Sequence, residues 1–97
     1  MILKDNRKSV GLPAILDLNA AGPLAARLLA LRGAAVTLDA SQVSHLGGLC
    51  LQVLLSARAT WAADGVALDV TGRSQAFDDA LALFGADRFA PAPGALP

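Results

Sequence analysis

Tyrosine is absent from this 97-residue chain, and tryptophan and cysteine occur once each. With only three phenylalanines besides, the core must be filled by leucine, alanine and valine. The lone Cys50 has no partner for an internal disulfide, which excludes a secreted, disulfide-stapled scaffold. Eight basic and eight acidic residues cancel. That leaves no basic stripe of the kind that holds nucleic acid and no cationic surface for anionic lipid. No apolar run approaches the roughly 20 residues of a spanning helix, so direct membrane insertion is not expected. Met1 to Lys8 carries charge where a signal peptide needs an unbroken apolar region, and a cytoplasmic protein is the expectation.

What remains is an apolar, sparsely charged chain long enough for one domain. Such a neutral domain repels itself little, which suits association with partner proteins and leaves a homodimer open. The domain is expected to span residues 1–90. Residues 91–97, rich in Ala and Pro, have too little large apolar surface to order themselves and read as a flexible tail.

The pattern along the chain alternates. Met1 to Leu3 reads as a short edge strand, and residues 5–9 as a turn or loose end. A strand is expected over 12–18, with Pro13 at its start because proline has no N–H to donate. Asn19 reads as the N-cap of a helix over 20–32. Pro23 sits in its first turn, Ala21, Leu24, Leu28 and Leu31 form its buried face, and Gly33 ends it. A second strand covers 36–39, followed by a polar loop and a second helix over 48–63 that stops at Asp64-Gly65. A third strand is expected over 66–70. Ser74 caps a third helix with Asp78 and Asp79 in its first turn and Phe77, Leu81 and Phe84 on its buried face. Strand–helix alternation of this kind predicts an α/β fold: a small, mostly parallel sheet of about four strands, with three to four helices packed mainly on one face.

The second helix is apolar around more of its circumference than one buried side requires. Leu51, Leu54, Leu55, Arg58 and Ala62 fall on one side, and Gln52, Ser56 and Thr60 form a polar stripe. Cys50, Val53, Ala57 and Trp61 form a second apolar flank. Trp61 is expected to be packed. Val53 and Ala57 are either covered by a neighbour or displayed for contact. Arg58, on the expected inner side, either snorkels to the sheet edge or pairs with Asp69 or Asp17.

Catalytic and metal-binding groups are scarce. One His and one Cys cannot make a four-ligand zinc site within a monomer. His45 and Cys50 have no third group to orient a nucleophile pair. Gly47-Gly48 at a helix start resembles a phosphate cradle, but the lysine and hydroxyl of a P-loop are missing. Glycine for tight backbone geometry is the expected reason. Asp39, ending a strand, is expected to cap the following turn through the N–H of Ser41 or Gln42. Cys50 reads as a small buried hydrophobe near a helix start. No cofactor is expected, and no enzyme.

The order and spacing of these pieces resemble the STAS domain, the module shared by anti-sigma-factor antagonists and the cytoplasmic tails of sulfate transporters. Val36 to Asp39 matches the family's strand, Val43 and Leu46 its loop positions, and Leu51 the leucine after its signature glycine. Gly65, Ser74 to Phe77 and Leu83-Phe84-Gly85 match downstream, and Leu16-Asp17, Ala20-Ala21 and Leu24 upstream. The resemblance implies a non-enzymatic bacterial signalling or regulatory module. Its partner would be a kinase-type, anti-sigma-factor or chemotaxis-type protein. The implied contact residues are Asp39, Ser41, Ser44, His45, Gly47, Gly48, Leu49, Cys50, Gln52 and Val53. Where family members run by a serine kinase carry a phosphate-accepting hydroxyl, this chain has Gly47-Gly48-Leu49-Cys50, so the usual phospho-switch is expected to be missing. The alternative is an accessory STAS subunit of a lipid-transporting ABC complex, which needs no such switch.

Overall fold

The computed structural model describes residues 7–85. The expectations for an edge strand at Met1 to Leu3 and for a tail over 91–97 lie outside them. Among the described residues, five strands and three α-helices follow one another. They are β1 (Lys8–Gly11), β2 (Ile15–Leu16), α1 (Ala21–Ala30), β3 (Val36–Asp39), β4 (His45–Leu46), α2 (Gly48–Asp64), β5 (Leu68–Thr71) and α3 (Gln75–Leu83). Among the described residues the strands form two sheets, one of order β1-β3-β5 and a two-stranded one of β2-β4. All three pairings are parallel. The class expected from alternation is therefore present, but about four strands in one sheet becomes five in two.

The first strand is displaced from its expected place. Lys8–Gly11 pairs with β3, not residues 12–18, and Lys8 and Ser9 lie in that strand rather than in a turn. Only Val10 of the four is buried, so the segment shows no apolar run. After Leu12 N–H donates to the Asp39 carbonyl at 2.9 Å, Pro13 has no N–H to continue the ladder. Just Ile15–Leu16 of the expected strand pairs, and it pairs with β4. Alternation along β1 and β3 sends Val10, Val36 and Leu38 into the core. The other side carries Ser9, Thr37 and, on β5, Asp69, with Arg7 Nη1 donating to Thr37 Oγ1 (2.8 Å) and Asp69 Oδ2 (3.1 Å).

The cap before α1 is Asp17, not Asn19. Asp17 Oδ1 accepts from the N–H groups of Asn19 (3.0 Å) and Ala20 (3.2 Å), opening a turn of 3-10 helix at Leu18–Ala20 that leads into α1. The α-helix ends at Ala30, earlier than expected, and Gly33 takes a positive φ of 97°. Gly65 ends α2 in the left-handed conformation. There Val66 N–H bonds back to the Trp61 carbonyl at 3.1 Å, so Val66 belongs to the helix stop and β5 starts at Leu68. Ser74 caps α3 as expected. Asp78 lies in its first turn, while Asp79 accepts from Gln75 at 2.8 Å.

The buried face of α2 is Cys50, Leu51, Leu54, Ala57 and Trp61. It is rotated from the expected side: Leu55 and Arg58 are half-buried and Ala62 is exposed. Trp61 is packed, 2% exposed, and its ring N–H donates to the Ala34 carbonyl at 2.7 Å. Ala57 is buried where α1 crosses α2. At the far ends of these helices Arg32 grips Asp64 with two bonds of 2.9 and 3.2 Å. The Arg32 guanidinium, through these bonds and then its charge, holds the Asp64 carboxyl below the ordinary carboxylate range, against the opposing effect of burial. Phe84, expected on the buried face of α3, is 47% exposed.

Candidate interaction surface

The segment from Asp39 to the first turn of α2 is held by a series of hydrogen bonds. Asp39 Oδ1 accepts from Ser41 N–H at 2.9 Å. This is the expected turn cap, and the Ser41 N–H, then its hydroxyl, lower the Asp39 pKa. Ala40 N–H donates to the Thr71 carbonyl at 2.9 Å. The Ala14 carbonyl takes three donors, Ser44 N–H (2.8 Å), Ser44 Oγ–H (3.1 Å) and His45 N–H (3.1 Å). Gly47 N–H donates to the Leu16 carbonyl at 2.9 Å. Val43 and Leu46 point into the core and pull the loop down onto it. The loop is thus a preformed surface rather than an open coil.

Its two glycines are not there for special backbone geometry. Neither has a positive φ, and Gly47, the N-cap of α2, is extended at φ −87° and ψ 166°. A Cβ at Gly48 would meet the Phe84 ring at an ordinary 3.7 Å. What the glycines do is leave the start of α2 without a side-chain cap and close to Phe84.

The structure divides the expected contact residues. Asp39, Ser41, Ser44, His45, Gly48, Leu49 and Gln52 are exposed, and Gly47 and Val53 are half-buried. Cys50 is a correction: it is 0% exposed, so its side chain supports the surface from beneath and presents nothing to a partner. Its thiol donates to the Asp17 carbonyl at 3.3 Å. Burial, and after it the nearby Asp17 charge, raises its pKa. His45 lies on β4 opposite Ile15, not in free loop. Among the described residues, no three His, Cys, Asp or Glu side chains gather where a metal ion could be held. Nor is any described helix long and apolar enough to cross a membrane.

Three contributors had no signal in the sequence. Ile15 (50% exposed) shares the outer face of the small sheet with His45, Leu18 stands out from the turn that packs on α2, and Phe84 lies beside Gly48. The first two lay in an apolar run that suggests burial, and only the pairing reveals which way each points. Leu49, in the first turn of α2, is a fourth exposed apolar side chain on these segments. Further along α2, Gln52, Val53, Ser56 and Thr60 line a groove of about 390 Å³ between α1 and α2, floored by Ala57 and Trp61 and bordered by Leu29. Every residue lining that groove is uncharged.

The chain belongs to the STAS domain family: the family model described as "Mlab, STAS domain" matches residues 3–94. STAS domains act generally as non-catalytic, protein-interaction modules. No curated protein sequence matches this chain.

Proposed function

We propose that this domain is a bacterial regulatory module that docks a partner protein through the 39–53 surface, without a serine phospho-switch at residues 47–50. The observation that carries the reading is that Ile15, Leu18, Leu49 and Phe84 are all exposed on the segments flanking a loop fixed by hydrogen bonds. Exposed apolar clusters with polar neighbours are the usual signature of protein contact sites. A preformed loop also lowers the ordering cost of association. The partner that fits is a signalling protein of the kinase-type ATPase, anti-sigma-factor or chemotaxis class.

The test is a pull-down from the native host, with partners identified by mass spectrometry, followed by variants. Leu49→Asp, His45→Asp and Gln52→Arg should each weaken capture of the identified partner about tenfold or more, the scale of a hot-spot loss. Their melting temperatures should stay near that of the parent. Capture that survives these changes but fails on substituting Ser9 or Thr37, on the opposite side of the larger sheet, would move the docking site there.

A second reading is an accessory subunit that props the ATPase of a lipid-transporting ABC complex. Two observations favour it. The loop has no hydroxyl at residues 47–50, and the matching family description is that of Mlab, not of an anti-sigma-factor antagonist. Co-purification with an ATPase and a permease supports this reading, and co-purification with soluble signalling proteins removes it.

A further inference from the structure

Two turns that are far apart in sequence interlock beneath the docking surface. One follows β3 and the other follows β5. Ala40 N–H donates to the Thr71 carbonyl (2.9 Å), and Ser74 N–H donates to the Ala40 carbonyl (3.2 Å). Gly72, at φ +61°, comes so close that a Cβ there would lie 2.9 Å from Asp39 Oδ1 and 3.3 Å from Ser41 Cβ. The fastening between them is the Ser74 hydroxyl. A hydroxyl has one proton to give and lone pairs to accept with. Ser74 gives its proton to the Val43 carbonyl at 2.6 Å and accepts from Phe77 N–H at 3.0 Å. Both ends of this relay are anchored, since Val43 and Phe77 are buried.

We propose that Ser74 is a positioning residue for the docking loop. Its one hydroxyl joins the Val43 carbonyl to the first turn of α3, so the loop and the start of α3 are held, and open, as one unit. The functional meaning of this tie rests on the 39–53 docking reading above; the tie itself does not. The two roles of the hydroxyl are chemically separable. Aspartate is a good N-cap and suits the positive end of the helix dipole. As an acceptor-only carboxylate, however, it cannot donate to Val43. Alanine can do neither job, and threonine can do both.

Hydrogen–deuterium exchange on the full chain reads the tie without any partner. The reporters are the loop amides at Val43, Ser44, His45 and Gly47, all hydrogen-bonded. Ser74→Asp should speed their exchange about tenfold, the effect of losing one buried hydrogen bond, while the amides of residues 78–83 keep their protection. Ser74→Ala should speed both sets, and Ser74→Thr should restore both. Unchanged loop exchange in Ser74→Asp would overturn the proposal. So would equal acceleration in β1 and β5, which would mean general loosening rather than a local tie. Partner capture is a separate readout: a loop loosened by Ser74→Asp with capture intact would leave the tie standing and remove the docking reading.

Discussion

At the scale of single residues, Cys50 shows how place overrides type. A cysteine one turn into a helix, five residues from a histidine, suggests reactivity on paper. Here the thiol is enclosed by core residues, gives its proton to a backbone oxygen and has its pKa raised by burial. It therefore stays protonated near neutral pH and out of reach. The expected outcome is a reaction with Ellman's reagent that is about a hundredfold or more slower in the native protein than in urea, because a buried thiol reacts only through opening. Prompt native labelling would contradict the burial. Trp61 is the opposite case. Its size alone predicted packing, and the structure adds the bond from its ring nitrogen to Ala34 that fixes where α2 ends relative to the turn before β3.

At the scale of elements, the start of α1 offers a clean comparison of two residues. Asp17 accepts from two N–H groups, whereas Asn19 lies within the turn it was expected to cap. Asp17→Ala should cost about 1 kcal/mol of stability in urea denaturation, a typical cap loss. Asn19→Ala should stay within about 0.5 kcal/mol, as an exposed change does. The reverse order would restore the sequence expectation. This pair also shows what the sequence could reveal. Elements with strong signals were readable: β3 from its apolar run, α2 from its length and its Gly65 stop, and α3 from Ser74. β1 was not, because Lys8, Ser9 and Gly11 face solvent and only Val10 reports burial. The rotation of the α2 buried face was hidden for a related reason. When most of a helix is apolar, its inner side is chosen by the neighbours, here α1, β5 and the 3-10 turn, not by the pattern itself. For the docking surface, the loop and helix were legible from spacing, but the exposure of Ile15, Leu18 and Phe84 depends on strand pairing and on how α3 packs on β4, which no local pattern encodes.

At the scale of the whole molecule, two exposed carboxylates couple shape to pH. Asp39 secures the loop and Asp64 joins the ends of α1 and α2, and both have folded pKa values below the ordinary carboxylate range. Because the shift is downward, their support is fully present above the unfolded-state value, about 4, and is lost as pH falls through the lower folded values. Urea midpoints should therefore drop as the pH falls below about 4. In Asp64→Asn the midpoint at pH 6 should be lower and the acid drop smaller, and an equal drop in parent and variant would exclude this carboxylate as a contributor. The parallel pairing of every strand among the described residues has a different consequence, for how the chain reaches its fold. Each of the three pairings joins strands about thirty residues apart, and none of them is a hairpin, so sheet contacts must wait for distant segments to meet. On the ribosome, β3 would stand with one edge open until β5 emerges, which makes the α2 segment between them the interval over which the nascent domain is most exposed to mispairing.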